Sequence, residues 1–221
     1  MKKVLITGAT GMIGQLVLKY CLDAEDITKV VSISRRSTQI MHTKLEEILT
    51  DDFLDYDGHS TAFQNVDAAF FCIGVYTGSV SNEILKTITV DYTAAFGASL
   101  KKHSPQAVLS FLSGAGADLT EKSRTPFAKY KGMAENALMK LQFDQLYIFR
   151  PAYIYPVIKR KEPNLMYSIS RSLYPLIRLF GKNASIPSTE LAAAMVQTIY
   201  KQPSKEILEN ADILNYLELN Q

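Results

Sequence analysis

The chain has 221 residues, of which 47% are hydrophobic and 21% charged, and its formal net charge at pH 7 is +2. This composition is typical of an ordinary folded domain, so a disordered chain is not the expectation. The lysines and arginines are scattered and no apolar run approaches twenty residues, so we expect neither nucleic-acid binding nor a membrane span.

The first fourteen residues, MKKVLITGATGMIG, predict a buried strand, a glycine turn and the start of a helix. Gly8 lets the chain turn sharply out of the strand, and Gly11 lets the backbone approach a pyrophosphate without a side chain between them. Gly14 lets the helix pack closely on the strand. Because the first N–H groups of a helix lack partners, they would face the phosphates. The stretch therefore predicts a dinucleotide site.

A second strand is predicted at residues 27–34, followed directly by Arg35 and Arg36. An NAD site commonly places a carboxylate near this point for the ribose 2′-hydroxyl, whereas an NADP site needs cations for the 2′-phosphate. No acid stands at the strand end, and the two arginines could clamp a phosphate. The sequence therefore favours NADP(H) over NAD(H) as the cofactor.

The rest of the chain alternates strands with helices until about residue 155. Asp51 follows the third strand, on the adenine side expected of such a site. The further strands are predicted at 44–50, 68–74, 107–113 and 145–150, and the helices at 82–103 and from Pro126 onward. Six alternations predict an α/β fold with a doubly wound parallel sheet, the Rossmann fold.

The C-terminal part has a different pattern, with helices predicted at 164–180 and 189–201. We expect residues 1–155 to form the dinucleotide-binding core and residues 156–221 a small, mostly helical cap on the substrate side. Both parts would pack as one structural domain. Several cap residues are candidates for substrate contact by location alone: Tyr155, Lys159, Arg160, Tyr167 and Arg171.

Four motifs, TGATGMIG, LSFLSGAGAD, KGMAEN and FRPAYIYP, span nearly the whole chain in one order. In this respect the chain resembles atypical or extended short-chain dehydrogenases/reductases. It is most similar to the small nucleoside-diphosphate-sugar epimerase-like and NmrA-like proteins, including the Tat-interacting oxidoreductase-like group. The resemblance implies a Rossmann domain binding NADP(H), with cofactor contacts at Gly8, Thr10, Gly11, Met12, Ile13, Gly14, Arg35, Arg36, Gly74, Lys131 and Pro151.

The resemblance also implies a catalytic serine and lysine, which are Ser113 and Lys131 here. In such enzymes a tyrosine four residues before the lysine exchanges the proton with the reacting oxygen, and the lysine lowers the pKa of the phenol. That position holds Phe127, which has no proton to give. Tyr130 is turned about 100° around the helix from Lys131. Other phenols that could take the role are Tyr76, Tyr153 and Tyr155.

The phenylalanine at position 127, where a tyrosine is expected, leaves two alternative functions. The first is an NADP(H)-dependent oxidoreductase or epimerase-like enzyme whose acid is a residue other than Phe127. The alternative is a non-catalytic NADP(H) redox sensor that acts through a protein partner. Further expectations are an unidentified small-molecule substrate, a monomer or homodimer, and no metal.

A cytoplasmic location is expected because the sequence runs directly into a strand without a leader-like segment. The two cysteines, Cys21 and Cys72, are expected as buried thiols in a reducing compartment.

Overall fold

The computed structural model describes residues 1–75, 78–158, 174 and 181–219. Within them, seven parallel strands form one sheet in the order β3-β2-β1-β4-β5-β6-β9, and β7 pairs with β8 in a second, small sheet. The strands are β1 Lys2–Thr7, β2 Ile27–Ser34, β3 Leu45–Leu49, β4 Ala68–Phe71, β5 Val108–Leu112, β6 Leu146–Arg150, β7 Tyr153–Tyr155, β8 Ser185–Pro187 and β9 Ile207–Glu209.

Helices connect most of these strands. They are α1 Gly14–Asp23, α2 Asn82–Lys86, α3 Tyr92–His103, α4 Pro126–Met139, α5 Ser188–Gln197 and α6 Asn210–Glu218, with a 3₁₀ segment at Asp57–Phe63. The helix predicted at 82–103 is interrupted by a π-helical turn at Thr87–Asp91. Apolar spacing did not reveal this turn, because one additional residue per turn changes the period only locally.

Side chains of the central strand β1 alternate between two cores. Val4 and Ile6 are fully buried in a core to which α1, α5 and α6 also contribute, and Leu5 is fully buried in a second core that includes residues of α3 and α4. The strand order reverses between β2 and β4 on either side of β1. Helices on both faces of a parallel sheet confirm the doubly wound α/β fold.

The C-terminal residues that the structure describes contain strands as well as helices. The strand β9 pairs in parallel with β6 and extends the main sheet, and α5 packs on α1. Among the residues described, 181–219 therefore add one strand to the main sheet, one strand to the small sheet and two helices. A three-residue strand is too short to produce a recognisable pattern, which is why it was not predicted. The helix predicted at 164–180 lies outside the described residues, apart from Tyr174.

Candidate functional site

The turn after β1 can be made only with glycine at two positions. Gly8 has a φ of +78°, and a Cβ added to it would lie 2.7 Å from the carbonyl carbon of Cys72. A Cβ added to Gly14 would lie 2.1 Å from the carbonyl oxygen of Gly8. The N–H of Gly11 donates to the same Gly8 oxygen at 2.9 Å. The predicted strand, tight turn and close helix start are thus all present.

The N-terminus of α1 fits a pyrophosphate. Its cap residue, Ile13, supplies no side-chain hydrogen bond, and the first turn contains no acidic residue. In the described part of the chain, the backbone N–H groups of Met12 and Ile13 have no acceptor. A Cβ at Gly74, across the turn, would meet nothing within 4 Å. Free donors facing open space at a helix N-terminus are what an anionic group needs.

A cavity of about 350 Å³ opens at the carboxyl ends of β1, β4, β5 and β6. Seven of the predicted site residues line it: Gly11, Met12, Ile13, Gly74, Ser113, Lys131 and Pro151. Gly8, Thr10 and Gly14 belong to the adjoining turn and are not part of the wall. The cavity lies at the point where the strand order reverses, the usual place for a ligand in such sheets.

Three predicted cofactor residues lie apart from this cavity. Arg35 and Arg36 are exposed just beyond the end of β2, and Asp51 is exposed beyond the end of β3. Within the described residues, neither arginine forms an ion pair. Both residues directly follow β2, which pairs with β1 up to the start of the glycine turn, and their exposed side chains are available to an anion.

Lys131 is a buried cation in the wall of the cavity. Only 8% of the residue is exposed. Its Nζ donates to the carbonyl oxygen of Leu112 at 2.9 Å and lies 5.0 Å from the centroid of the Phe111 ring. Burial lowers the pKa of Lys131 to about 8, an effect that the negative charge of Glu135 opposes. The amine can therefore both donate and accept a proton near neutral pH.

Ser113 is held by a buried ionic network that sequence reasoning missed. Its Oγ donates to Glu135, which is fully buried and one helical turn after Lys131. Arg150 donates to Glu135 from Nε at 3.0 Å and from Nη2 at 2.5 Å, and to Glu209 from Nη1 at 2.9 Å. The network joins the ends of β5, β6 and β9 to α4. The sequence signal that could have indicated this network is Glu135 itself, an acidic residue on the buried face of α4.

Phe127 lines the cavity one turn before Lys131, as the sequence predicted. Its ring lies over Gly114, where an added Cβ would be 2.6 Å from the ring Cζ. The aromatic ring therefore occupies the face of α4 where a phenol would be expected.

Of the candidate phenols, Tyr153 is the one that lines the cavity among the residues described. Tyr155 stacks on Tyr174, with ring centroids 3.7 Å apart and planes 11° from parallel. Tyr130 is not part of the wall, and Tyr76 lies outside the described residues.

A parallel sheet with a glycine turn after its central strand, and a cavity at the switch point, defines a Rossmann fold. The family model described as NAD dependent epimerase/dehydratase family matches residues 4–156. The chain therefore belongs to that family, and the resemblance to atypical short-chain dehydrogenases/reductases is confirmed.

Named proteins similar to the chain agree with this assignment. Protein HTATIP2 of Rattus norvegicus is 27% identical over 219 residues, which cover 97% of this chain and 88% of that protein. The mitochondrial protein fmp52-2 of Neosartorya fischeri is 26% identical over 218 residues, covering 95% of this chain and 93% of that protein. The enzyme WbmH of Bordetella bronchiseptica, solved in complex with NAD+, shares the fold with a TM-score of 0.72 and 18% identity, over 95% of this chain and 75% of that one.

The described helices are all too short or too polar to cross a bilayer.

Proposed function

We propose that the protein binds NADP(H) at the glycine turn and the adjoining cavity and uses it as an oxidoreductase or epimerase-type enzyme. The carrying observation is that seven residues chosen from sequence for cofactor binding or catalysis meet in one cavity at the switch point. The cofactor supplies hydride transfer to or from a carbon atom of the substrate. The residues of the chain must then bind and orient the substrate and exchange a proton with it.

The preference for NADP(H) rests on Arg35 and Arg36. Both directly follow β2, whose end pairs with the end of β1, and no acidic residue ends that strand in the sequence. The nearby carboxylate of Glu47 accepts hydrogen bonds from Ser37 and Thr38 and forms no ion pair with either arginine among the residues described. Guanidinium groups form short, charge-assisted hydrogen bonds with phosphate oxygens. The solved relative WbmH contains NAD+, so the identity of the bound dinucleotide is the first property to measure.

We assign the proton exchange to Lys131, with Tyr153 as the neighbouring phenol in the same wall. Lys131 reaches the cavity and its pKa of about 8 suits both directions of transfer. The hydroxyl of Ser113 donates its hydrogen bond to Glu135, so a lone pair of its Oγ remains to accept a hydrogen bond from a hydroxyl of the substrate.

The test is a titration with NADPH, NADP+, NADH and NAD+, followed by turnover assays with carbonyl and quinone acceptors. Lys131→Ala and Ser113→Ala should each lower turnover by about 10²-fold or more while cofactor still binds. Unchanged turnover in both variants would place the active site elsewhere. An exposed lysine on the same helix, Lys129, provides the matched control Lys129→Ala.

A second function, that of a non-catalytic redox sensor, is favoured by one observation, the presence of Phe127 where a catalytic phenol would be expected. A redox sensor needs a cofactor and a protein partner but no phenol on this face of α4. It would bind cofactor without turnover of any acceptor, and the partner would distinguish the oxidised from the reduced form. A monomer or homodimer in the cytoplasm is proposed for either function. Because several relatives are named as mitochondrial proteins, localisation of a tagged chain is the direct check.

A further inference from the structure

The ammonium group of Lys131 lies in the cavity wall without a carboxylate in contact with it. Its Nζ contacts one carbonyl oxygen and one aromatic ring, and no ion pair involving it is formed by the described residues. A buried cation of this kind imposes a positive potential on the adjoining cavity, because little solvent is present to screen it.

The neighbouring titratable groups do not cancel this potential. On α4, the carboxylate of Glu135 accepts hydrogen bonds from Arg150 and Ser113, and the guanidinium of Arg150 is also shared with Glu209. The negative charge of Glu135 acts on Lys131 but does not outweigh the effect of burial, which still lowers the pKa of the lysine to about 8. After β4, burial raises the pKa of the Cys72 thiol to about 12, so the thiol is neutral. After β6, Tyr153 contributes a phenol to the wall. Lys131 is thus the cationic side chain that lines the cavity among the residues described.

We propose that Lys131 makes the site select the reduced form of the dinucleotide, and that loss of its proton removes this selection. The inference rests on the proposed function, since it requires the cofactor site. The oxidised nicotinamide ring carries a positive charge and the reduced ring carries none. Like charges in a poorly solvated cavity repel each other, so protonated Lys131 disfavours only the oxidised form.

The two halves of the cofactor divide between the two sides of the switch point. The half with the 2′-phosphate belongs beside Arg35 and Arg36, which leaves the nicotinamide half for the cavity beyond the end of β4, where Lys131 lies. The phosphates and the arginine contacts are common to both oxidation states. They therefore cancel in the ratio of the two dissociation constants, which isolates the effect of the ring charge.

The direction of the pH dependence follows from linkage. A ligand that binds better to the neutral lysine gains affinity as the pH rises through the pKa of that lysine. The pKa of free Lys131 is about 8, so the change should fall between pH 6.5 and 9.5. The Kd for NADP+ divided by the Kd for NADPH should therefore be about tenfold larger at pH 6.5 than at pH 9.5, equivalent to a one-unit shift of the lysine pKa on binding.

The experiment is a set of calorimetric titrations with NADPH and NADP+ at pH 6.5 and 9.5. Three variants accompany the wild type. Lys131→Met removes the charge and should give the same low ratio at both pH values. Lys131→Arg keeps the charge at both pH values and should give the same high ratio. Lys129→Met removes an exposed charge from the same helix and should behave as wild type.

The titrations distinguish failure of this inference from failure of the proposed function. A wild-type ratio that does not change with pH, or a pH-dependent ratio that survives in Lys131→Met, overturns the inference while leaving cofactor binding intact. Failure of the wild type to bind either form overturns the proposed function itself. Circular dichroism of each variant verifies that the fold is retained, so that loss of binding through unfolding is recognised.

Discussion

The carboxylate of Glu135 accepts hydrogen bonds from two nitrogens of the Arg150 guanidinium, at 3.0 Å from Nε and 2.5 Å from Nη2. Glu135 is fully buried and the side chain of Arg150 is 11% exposed. Loss of one partner would leave the other charge unpaired in a poorly solvated interior.

The first prediction concerns this pair. Arg150→Met should lower the free energy of unfolding by about 3–5 kcal/mol, because it leaves the buried carboxylate without its cation. Combining it with Glu135→Leu should recover most of that loss, since no charge is then left unpaired. Urea denaturation measures both. A double variant less stable than Arg150→Met would mean that packing, and not charge, sets the cost.

The second prediction separates two glycines of the turn. Gly14→Ala should destabilise the protein by several kcal/mol, of the order of a severe overpacking, because its Cβ would lie 2.1 Å from the Gly8 oxygen. In Gly11→Ala the added Cβ has one neighbour within 4 Å, the Gly8 oxygen at 3.1 Å. This substitution should therefore change the free energy of unfolding by less than about 1 kcal/mol. It should nevertheless weaken cofactor binding about tenfold or more, because its methyl group intrudes on the pyrophosphate. Thermal unfolding and calorimetry distinguish the two effects.

The third prediction tests how the cofactor is chosen. Arg35→Ala combined with Arg36→Ala should weaken NADP(H) binding by about tenfold to a hundredfold, since charge-assisted contacts with the 2′-phosphate are lost. NAD(H) binding should change little. Lys19→Ala, which removes an exposed cation from α1, is the matched control. Equal weakening for both dinucleotides would show that the arginines do not recognise the 2′-phosphate.

The fourth prediction concerns stability in the absence of cofactor. The pKa of Lys131 falls from 10.5 to about 8 on folding, so between these values the unfolded chain binds more protons and stability rises with pH. Relative to Lys131→Met, the wild type should gain about 2 kcal/mol between pH 7 and pH 10. Urea unfolding at the two pH values gives this difference. The subtraction removes contributions common to both proteins, such as that of Tyr56, whose pKa is raised by burial.

The sequence predicted the part of the fold that depends on local pattern. Residues 27–34 were predicted as a strand and form one with those bounds, and the glycines at 8, 11 and 14 predicted the turn after β1. These features are encoded within a few consecutive residues, by apolar runs and by glycine. The same holds for Lys131 and Ser113, which belong to recognisable motifs and both line the cavity.

Pairings between distant segments could not be predicted in this way. Arg150 and Glu209 are 59 residues apart, and nothing in either local pattern indicates that β9 will lie beside β6. The role of Glu135 was missed for the same reason. Its partner is fixed by the order of strands in the sheet, a property of the folded chain as a whole.

The link from Ser113 through Glu135 and Arg150 to Glu209 has a practical consequence for anyone shortening this chain. A fragment that stops at residue 155 retains the glycine turn, Lys131 and most of the cavity wall, yet lacks the second acceptor of Arg150. It also lacks Asn210, whose Oδ1 accepts the backbone N–H of Ala152 in that wall at 2.8 Å. The segment that holds the glycine turn and the cavity is therefore not a module for transplantation or separate expression, since its geometry is completed by residues more than fifty positions downstream.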